Sequence, residues 1–182
     1  METYTGARAL VENPRYDEQR RAALGELDFA AIDRPIVDIV KGFVELVYCF
    51  TLQSCFGHFL YDGQRDMHNL DPVPVDASIE VVEYRIAYLA LCVENTAPGR
   101  ELLEEMAKIA ATNPEYIQFG SADWFWERQV NSYVLQVEPR EHVAKDRCII
   151  DRRQALAVEQ VRNRFFEDIA ALLTKRQGAE AA

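Results

Sequence analysis

Apolar and polar positions recur along the chain with two different periods, which separate helices from strands. Apolar residues cover nearly the whole circumference of a helix over residues 36–47, so a buried helix is predicted there. The Asp33-Arg34-Pro35 segment before it is typical of a helix start, with a capping aspartate and a proline in the first turn. From Asp151 to about Lys175, an apolar stripe at helical spacing predicts a long amphipathic helix that also begins on a capping aspartate.

Segments rich in β-branched and aromatic residues predict the strands. Residues 84–93 form a nearly continuous apolar run, as in a central strand, and Ser132–Val137 alternates. Thr96 is predicted to cap a helix that runs to about Ile109. Two shorter β-prone runs occupy residues 49–52 and 116–119. This order predicts an α/β fold: a two-layer domain with an approximately four-stranded mixed sheet, packed by helices and ending in a long C-terminal helix.

No repeat, low-complexity tract or flexible linker divides the chain, so a single domain over residues 1–182 is expected. Residues 1–13 and 178–182 are expected to be loosely ordered. Residues 62–78 form a long loop that contains four aspartates. Loops of this length are commonly functional or mobile.

The formal net charge of −10 disfavours binding to nucleic acids, whose phosphates repel an acidic protein. Residues 140–176 are locally basic, with nine basic and six acidic side chains. A solvated helix face explains this pattern better than a nucleic-acid footprint does.

No apolar run approaches the roughly 18 residues that span a bilayer, so no membrane association is expected. Residues 1–20 contain four acids and no hydrophobic core, unlike a signal peptide. Cys49, Cys55, Cys92 and Cys148 form no C-x-x-C pair and are expected to be reduced thiols. Together these features predict a cytoplasmic protein.

The most specific segment is Thr51-Leu52-Gln53-Ser54-Cys55-Phe56-Gly57-His58, in which an apolar strand leads into reactive side chains and a glycine. Glycine permits a tight turn that presents Ser54, Cys55 and His58 to one pocket. The histidine is positioned either to activate the Cys55 thiol or to serve as a base for Ser54. The alternative is an ordinary strand-to-loop turn with a buried Cys55 and a solvated His58.

Two other sets of side chains suggest chemistry less specifically. Imidazole and carboxylate groups in the loop could ligate a divalent metal, but a polar, solvent-facing loop explains them better, so no metal site is predicted. The set comprises His58, Asp62, His68 and Asp71. The aromatic segment from Trp124 to Trp126 could stack on an adenine, although packing in the core or in a dimer interface is the preferred interpretation.

The 51–58 segment resembles the hallmark of the third wybutosine-synthesising protein family, the tRNA methyltransferase of that pathway. The family has Thr-Thr-Ser-Ser-Cys-Ser-Gly-Arg after an apolar N-terminal helix, and this chain matches it at Thr51, Ser54, Cys55 and Gly57. The order of later elements also corresponds. The family's arginine is replaced here by His58, and its basic His-Asp-Arg-Ser-Lys-Lys-Gly segment has no counterpart.

This resemblance implies the fold and a pocket of the S-adenosylmethionine type at the Ser54–Cys55–His58 turn, used by a methyltransferase-like group transferase. Catalytic roles are then expected for Ser54, Cys55 and His58. The residues expected to bind the cofactor are Thr51, Gly57, Trp124 and Trp126. The competing hypothesis is a non-catalytic homodimeric module that binds a small ligand or its partner through the Trp124–Trp126 aromatic segment.

Overall fold

A computed structural model of the chain describes residues 4–75, 78–142 and 146–180. Five α-helices lie within these residues: α1 Tyr16–Gly25, α2 Val37–Glu45, α3 Ala97–Thr112, α4 Asp123–Arg128 and α5 Arg152–Glu180. The strands are β1 Tyr4–Gly6, β2 Cys49–Cys55, β3 His58–Tyr61, β4 Val81–Arg85, β5 Ala87–Val93, β6 Ile117–Ala122, β7 Ser132–Val137 and β8 Arg147–Asp151.

The strands form two antiparallel sheets. The larger sheet has the order β1-β6-β7-β5-β2, and the smaller has the order β3-β4-β8. The helix α5 packs against α2, α3 and strands of both sheets, with Phe165 and Ile169 fully buried. Over the part of the chain that the structure describes, no helix combines the length and apolar character needed to cross a membrane.

The two sheets share one long β-ribbon that bends between them. β2 pairs with β5 in the larger sheet, and their continuations β3 and β4 pair in the smaller one, so Cys55 lies opposite Tyr88 and His58 opposite Arg85. One ribbon strand bends at Gly57, which has a φ of +88°, and the other bends at Ile86. These bends direct the ends of the two sheets toward each other.

Tyr84 fastens the bend from inside the core. Its hydroxyl donates to the Val137 carbonyl at 2.9 Å and accepts the Ala87 N–H at 2.9 Å. The side chain is fully buried, and its ring stacks on Phe59. A residue of the smaller sheet therefore satisfies backbone groups of the larger one, which fixes the angle between them.

The α/β class and the long C-terminal helix predicted from the sequence are confirmed. The strand arrangement differs, because eight antiparallel strands in two sheets replace a mixed sheet of about four. The predicted strand over 84–93 is two strands in different sheets, separated at Ile86. Three short strands, β1, β3 and β8, lie where no strand was predicted.

The helix predictions succeed at two of the three predicted caps and fail on burial. The side chains of Asp151 and Thr96 accept the N–H groups of Gln154 and Gly99, which confirms these two caps. The helix predicted over 36–47 is α2, which ends at Glu45 and buries only one face. Val47 lies beyond the end of this helix and is 67% exposed. No helix was predicted at α1.

The two ends predicted to be loose are partly built into regular structure. Residues 4–6 form β1 at the edge of the larger sheet, and α5 continues to Glu180. Residues 1–3 and 181–182 of those segments lie outside the described residues, as do Asp76 of the loop and Lys145 of the basic segment.

Gly57 is predicted to tolerate no side chain. An alanine there must keep the positive φ and place its Cβ 2.9 Å from the Ala87 Cβ. Gly63→Ala is a matched control, because Gly63 has a φ of +89° and nothing within 4 Å of a built Cβ. We expect Gly63→Ala to lower the free energy of unfolding by about 1–2 kcal/mol and Gly57→Ala by about 1–3 kcal/mol more. Urea denaturation measures both, and equal losses would contradict the close contact.

Candidate functional site

A cleft of about 820 Å³ opens where the ribbon bends between the two sheets. The ends of β2 and β3 bring Cys55 and His58 to it, and β4 and β8 contribute Arg85 and Arg147. On antiparallel strands, directly opposite side chains share a face, so each reactive residue of one strand has a neighbour on the other. The bend thus converts consecutive chain positions into one wall of a pocket.

Asp33, Cys55 and His58 form a compact cluster in this wall. One potential donor atom from each, including the Cys55 thiol sulfur, lies within 4.8 Å of the others. His58 Nε2 is 3.3 Å from Asp33 Oδ2, and the same carboxylate oxygen accepts the Phe56 N–H at 2.8 Å. Asp33 stands at the cap position of the 3₁₀ turn Arg34–Ile36, but its side chain makes no capping bond there. The predicted capping role is therefore wrong, because this carboxylate turns toward His58 instead.

The orientation of the His58 ring is determined from its other side. Nδ1 lies 3.0 Å from the Asn69 carbonyl oxygen, and since a carbonyl can only accept, Nδ1 carries a proton. The ring is 5% exposed. The hydrogen bond with Asp33, and to a smaller extent that with Cys55, raises the pKa of His58 to about 10. These hydrogen bonds outweigh burial, which alone would lower this pKa. The alternative of a solvated His58 is therefore wrong.

The pKa of Asp33 is shifted in the opposite direction. Burial alone would raise it, but the hydrogen bonds from His58 and from the Phe56 N–H outweigh burial and lower the pKa of this carboxyl. An imidazolium and a carboxylate therefore face each other at neutral pH, with the thiol beside them.

Arg162 of α5 supports the turn from beneath. Its Nη1 donates to the Gly57 carbonyl at 3.0 Å, and its guanidinium lies 4.1 Å from the centre of the Phe56 ring. Arg162 is 3% exposed and pairs with Glu159 at 3.4 Å. Glu159 in turn accepts the Val73 N–H at 3.0 Å, which ties the 62–78 loop to the same helix. The interpretation of the basic segment as a solvated helix face is wrong for this residue.

The remaining lining of the cleft combines aromatic rings with charges of both signs, since Asp146 lines it as well as Arg85 and Arg147. Tyr88, Trp124 and Phe125 contribute rings. The guanidinium groups of Arg85 and Arg147 share one carboxylate, that of Glu83, at 3.9 and 3.5 Å. Nε of Arg85 is buried and makes no hydrogen bond to a described residue. The cleft is thus suited to a planar ring and an anionic group, although the whole chain is acidic.

Four of the seven site residues predicted from the sequence line the cleft: Ser54, Cys55, His58 and Trp124. Thr51 does not line it, and its hydroxyl is buried without a hydrogen bond to a described residue. Gly57 contributes the bend rather than a lining surface. Trp126 lies away from the cleft, with its ring edge-on to Tyr133.

The aromatic segment divides between the two roles considered for it. It forms the short helix α4. Trp126 packs against the core, as the preferred interpretation predicted. Trp124 instead remains 38% exposed at the cleft, with the Arg128 guanidinium 3.7 Å from its ring centre.

The loop residues considered as metal ligands do not assemble into a site. The rings of His58 and His68 lie 6.3 Å apart, but the side chain of Asp62 is fully exposed beside Arg65. Within the described residues, only Asp33, Cys55 and His58 form a cluster with metal-ligand spacing. Asp71 is also exposed, so the loop is mainly a polar surface, as expected.

Three residues in or beneath the candidate site were not predicted from the sequence to belong to it: Asp33, Arg85 and Arg162. Asp33 is 25 residues from His58, and its Asp-x-Pro context points to a cap. Arg85 left a signal, because it is a charge within an otherwise apolar run. Arg162 also left a signal, because it is a charge on an apolar helical stripe. The other positions of this stripe are the apolar residues 158, 165, 169 and 172, and the stripe ends at Arg176. A charged residue on such a stripe indicates a buried partner.

The site therefore belongs to an antiparallel two-sheet α/β fold with its cleft at a bent ribbon. Its fold is similar to that of the PH1069 protein from Pyrococcus horikoshii, with a TM-score of 0.55 and 12% sequence identity. The alignment covers 90% of this chain and 95% of that chain. No protein-family model and no curated relative matches the chain. At this identity the similarity establishes the fold alone.

Arg162 is predicted to be essential for stability. Replacement by methionine leaves the Glu159 carboxylate uncompensated and the Gly57 carbonyl without its donor, so Arg162→Met should lower the free energy of unfolding by about 3–5 kcal/mol. Arg164 is the matched control on the same helix, with a side chain 73% exposed. Arg164→Met should change stability by less than about 1 kcal/mol. Chemical denaturation of both variants tests this, and similar losses would contradict the role of Arg162.

Proposed function

We propose that the protein binds a small molecule of the S-adenosylmethionine type in this cleft and acts as a methyltransferase-like group transferase. The observation that carries the proposal is the meeting of Ser54, Cys55 and His58 with Trp124 around one cavity. Its volume of about 820 Å³ lies within the range of small-molecule sites. The resemblance of residues 51–58 to the wybutosine-synthesising methyltransferases supports the same ligand class.

The lining of the cleft matches the parts of such a ligand. The adenine ring would stack on Trp124 or its aromatic neighbours Tyr88 and Phe125. The carboxylate of the methionine part would pair with the guanidinium of Arg85, whose buried Nε lacks a described hydrogen bond, or with Arg147. Both interactions come from residues outside the 51–58 segment, so they support the ligand class independently of the resemblance.

The transfer itself is a nucleophilic substitution at the methyl carbon. An electron pair of the acceptor forms the new bond while the carbon–sulfur bond breaks, and the bonding electrons go to sulfur, which leaves as a thioether. An acceptor that carries a proton would release it to water, because the imidazole of His58 is already protonated at neutral pH. We assign the catalytic roles to Ser54, Cys55 and His58, with Asp33 holding His58.

The acceptor we propose is a small molecule rather than a nucleic acid, because a net charge of −10 opposes binding to a polyphosphate. We further propose that the protein works in the cytoplasm. All four cysteines are free thiols, which fits a reducing compartment.

The proposal predicts that S-adenosylmethionine and S-adenosylhomocysteine bind with measurable heat in isothermal titration. Trp124→Ala should weaken binding about tenfold or more, since stacking contributes about 1–3 kcal/mol per base. Trp126→Ala is the matched control, because its ring does not line the cleft, and it should leave the affinity unchanged provided that the variant is folded. Absence of heat and of a thermal shift at millimolar ligand would refute the ligand class.

The second candidate function is a non-catalytic homodimer that uses the same aromatic segment. It is favoured by the exposed ring of Trp124 with Arg128 stacked on it, since aromatic and arginine side chains are enriched in interfaces. This candidate predicts a dimer in sedimentation velocity that Trp124→Ala dissociates. A wild-type monomer would rule it out.

A further inference from the structure

The cluster in the cleft wall combines three side-chain types that ligate transition metals. We propose that Asp33, Cys55 and His58 form a zinc-binding site whose fourth position opens on the cleft. This site shares only His58 with the His58–Asp62–His68–Asp71 set that the loop sequence suggested. Cys55 and His58 also have roles in the proposed function, but zinc binding itself needs no organic ligand.

The spacing of the donor atoms fits a tetrahedral ion. Zinc binds imidazole nitrogen and carboxylate oxygen at about 2.0–2.2 Å. Two such ligands on a tetrahedron are then separated by about 3.3–3.6 Å. His58 Nε2 and Asp33 Oδ2 lie 3.3 Å apart, and the Cys55 sulfur, which forms longer bonds to zinc, lies within 4.8 Å of both.

The groups around the cluster hold two of its ligands in place. The Nδ1–H of His58 donates to the Asn69 carbonyl, which leaves Nε2 as the nitrogen that faces Asp33 and Cys55. The Asp33 carboxylate accepts the Phe56 N–H. Hydrogen bonds of this kind typically orient metal ligands and fix the histidine tautomer. The side chains of His58 and Asp33 are therefore already ordered before an ion binds.

The chemistry of the donors selects zinc over the abundant hard cations. Magnesium and calcium prefer oxygen ligands, whereas thiolate and imidazole together favour zinc and related ions. Binding releases the thiol proton of Cys55 and the Nε2 proton of His58 to solvent, because only the deprotonated groups coordinate. With three protein ligands, zinc keeps one position for water or for a ligand atom in the cleft.

The test uses purified, EDTA-stripped protein loaded with zinc and then dialysed, with bound metal measured by elemental analysis. Cobalt(II) serves as a spectroscopic probe, because a bound thiolate adds a near-ultraviolet charge-transfer band. We expect one equivalent of zinc per chain and this band in the wild-type protein. Loss of a hydrogen-bond partner of a metal ligand typically lowers metal affinity about 10–100-fold. Loss of a ligand should cost at least as much, so Cys55→Ala and Asp33→Asn should each weaken zinc affinity at least about tenfold.

Asp62→Asn and His142→Gln are the matched controls, since neither residue belongs to the cluster, and both should bind zinc like the wild-type protein. Cys55 is only half-buried, so its variant remains informative if Asp33→Asn fails to fold. Zinc binding that Cys55→Ala leaves unchanged would overturn the proposal, as would a cobalt spectrum without the thiolate band. All measurements omit S-adenosylmethionine, so failure here leaves the proposed ligand untouched, and the converse also holds.

Discussion

The close approach of Gly57 to Ala87 is the constraint on which the rest of the structure depends. A side chain at position 57 would overlap the Ala87 backbone and Cβ, so the two strands can cross between the sheets only because one of them has none there. The crossing lets Tyr84 bridge both sheets and lets Arg162 reach the Gly57 carbonyl. Packing, hydrogen bonding and the position of the cleft all follow from this contact.

The charges around the bend form paired groups rather than isolated ones. Arg162 and Glu159 neutralise each other beneath the turn, and Asp33 and His58 do so above it. Buried charges are costly unless they are paired and hydrogen-bonded, and each of these four also bonds backbone or a further side chain. This arrangement gives the acidic protein a cleft lined by two arginines, Arg85 and Arg147, and two aspartates, Asp33 and Asp146.

Local sequence patterns were enough to predict the α/β class and the helix caps at Thr96 and Asp151. They also predicted that Ser54, Cys55 and His58 line one cleft. The patterns could not divide residues 84–93 between two sheets, because the division depends on the long-range contact of Gly57 with Ala87. Asp33 was misassigned for a related reason. Its local context fits a cap, and its true partners lie more than 20 residues away. What depends on distant chain segments was missed, although Arg85 and Arg162 each left a signal as a charge within an apolar pattern.

The bent ribbon carries two kinds of side chain on its two strands, with Cys55 opposite Tyr88 and His58 opposite Arg85. Reactive groups come from one strand, and the ring and the cation that would recognise a ligand come from the other. In the proposed function, substitution of Arg85 or Tyr88 would therefore alter which ligand is bound while the strand that carries Cys55 and His58 stays unchanged. In the proposed function, this fold places the reacting groups and the groups that recognise the ligand on separate strands.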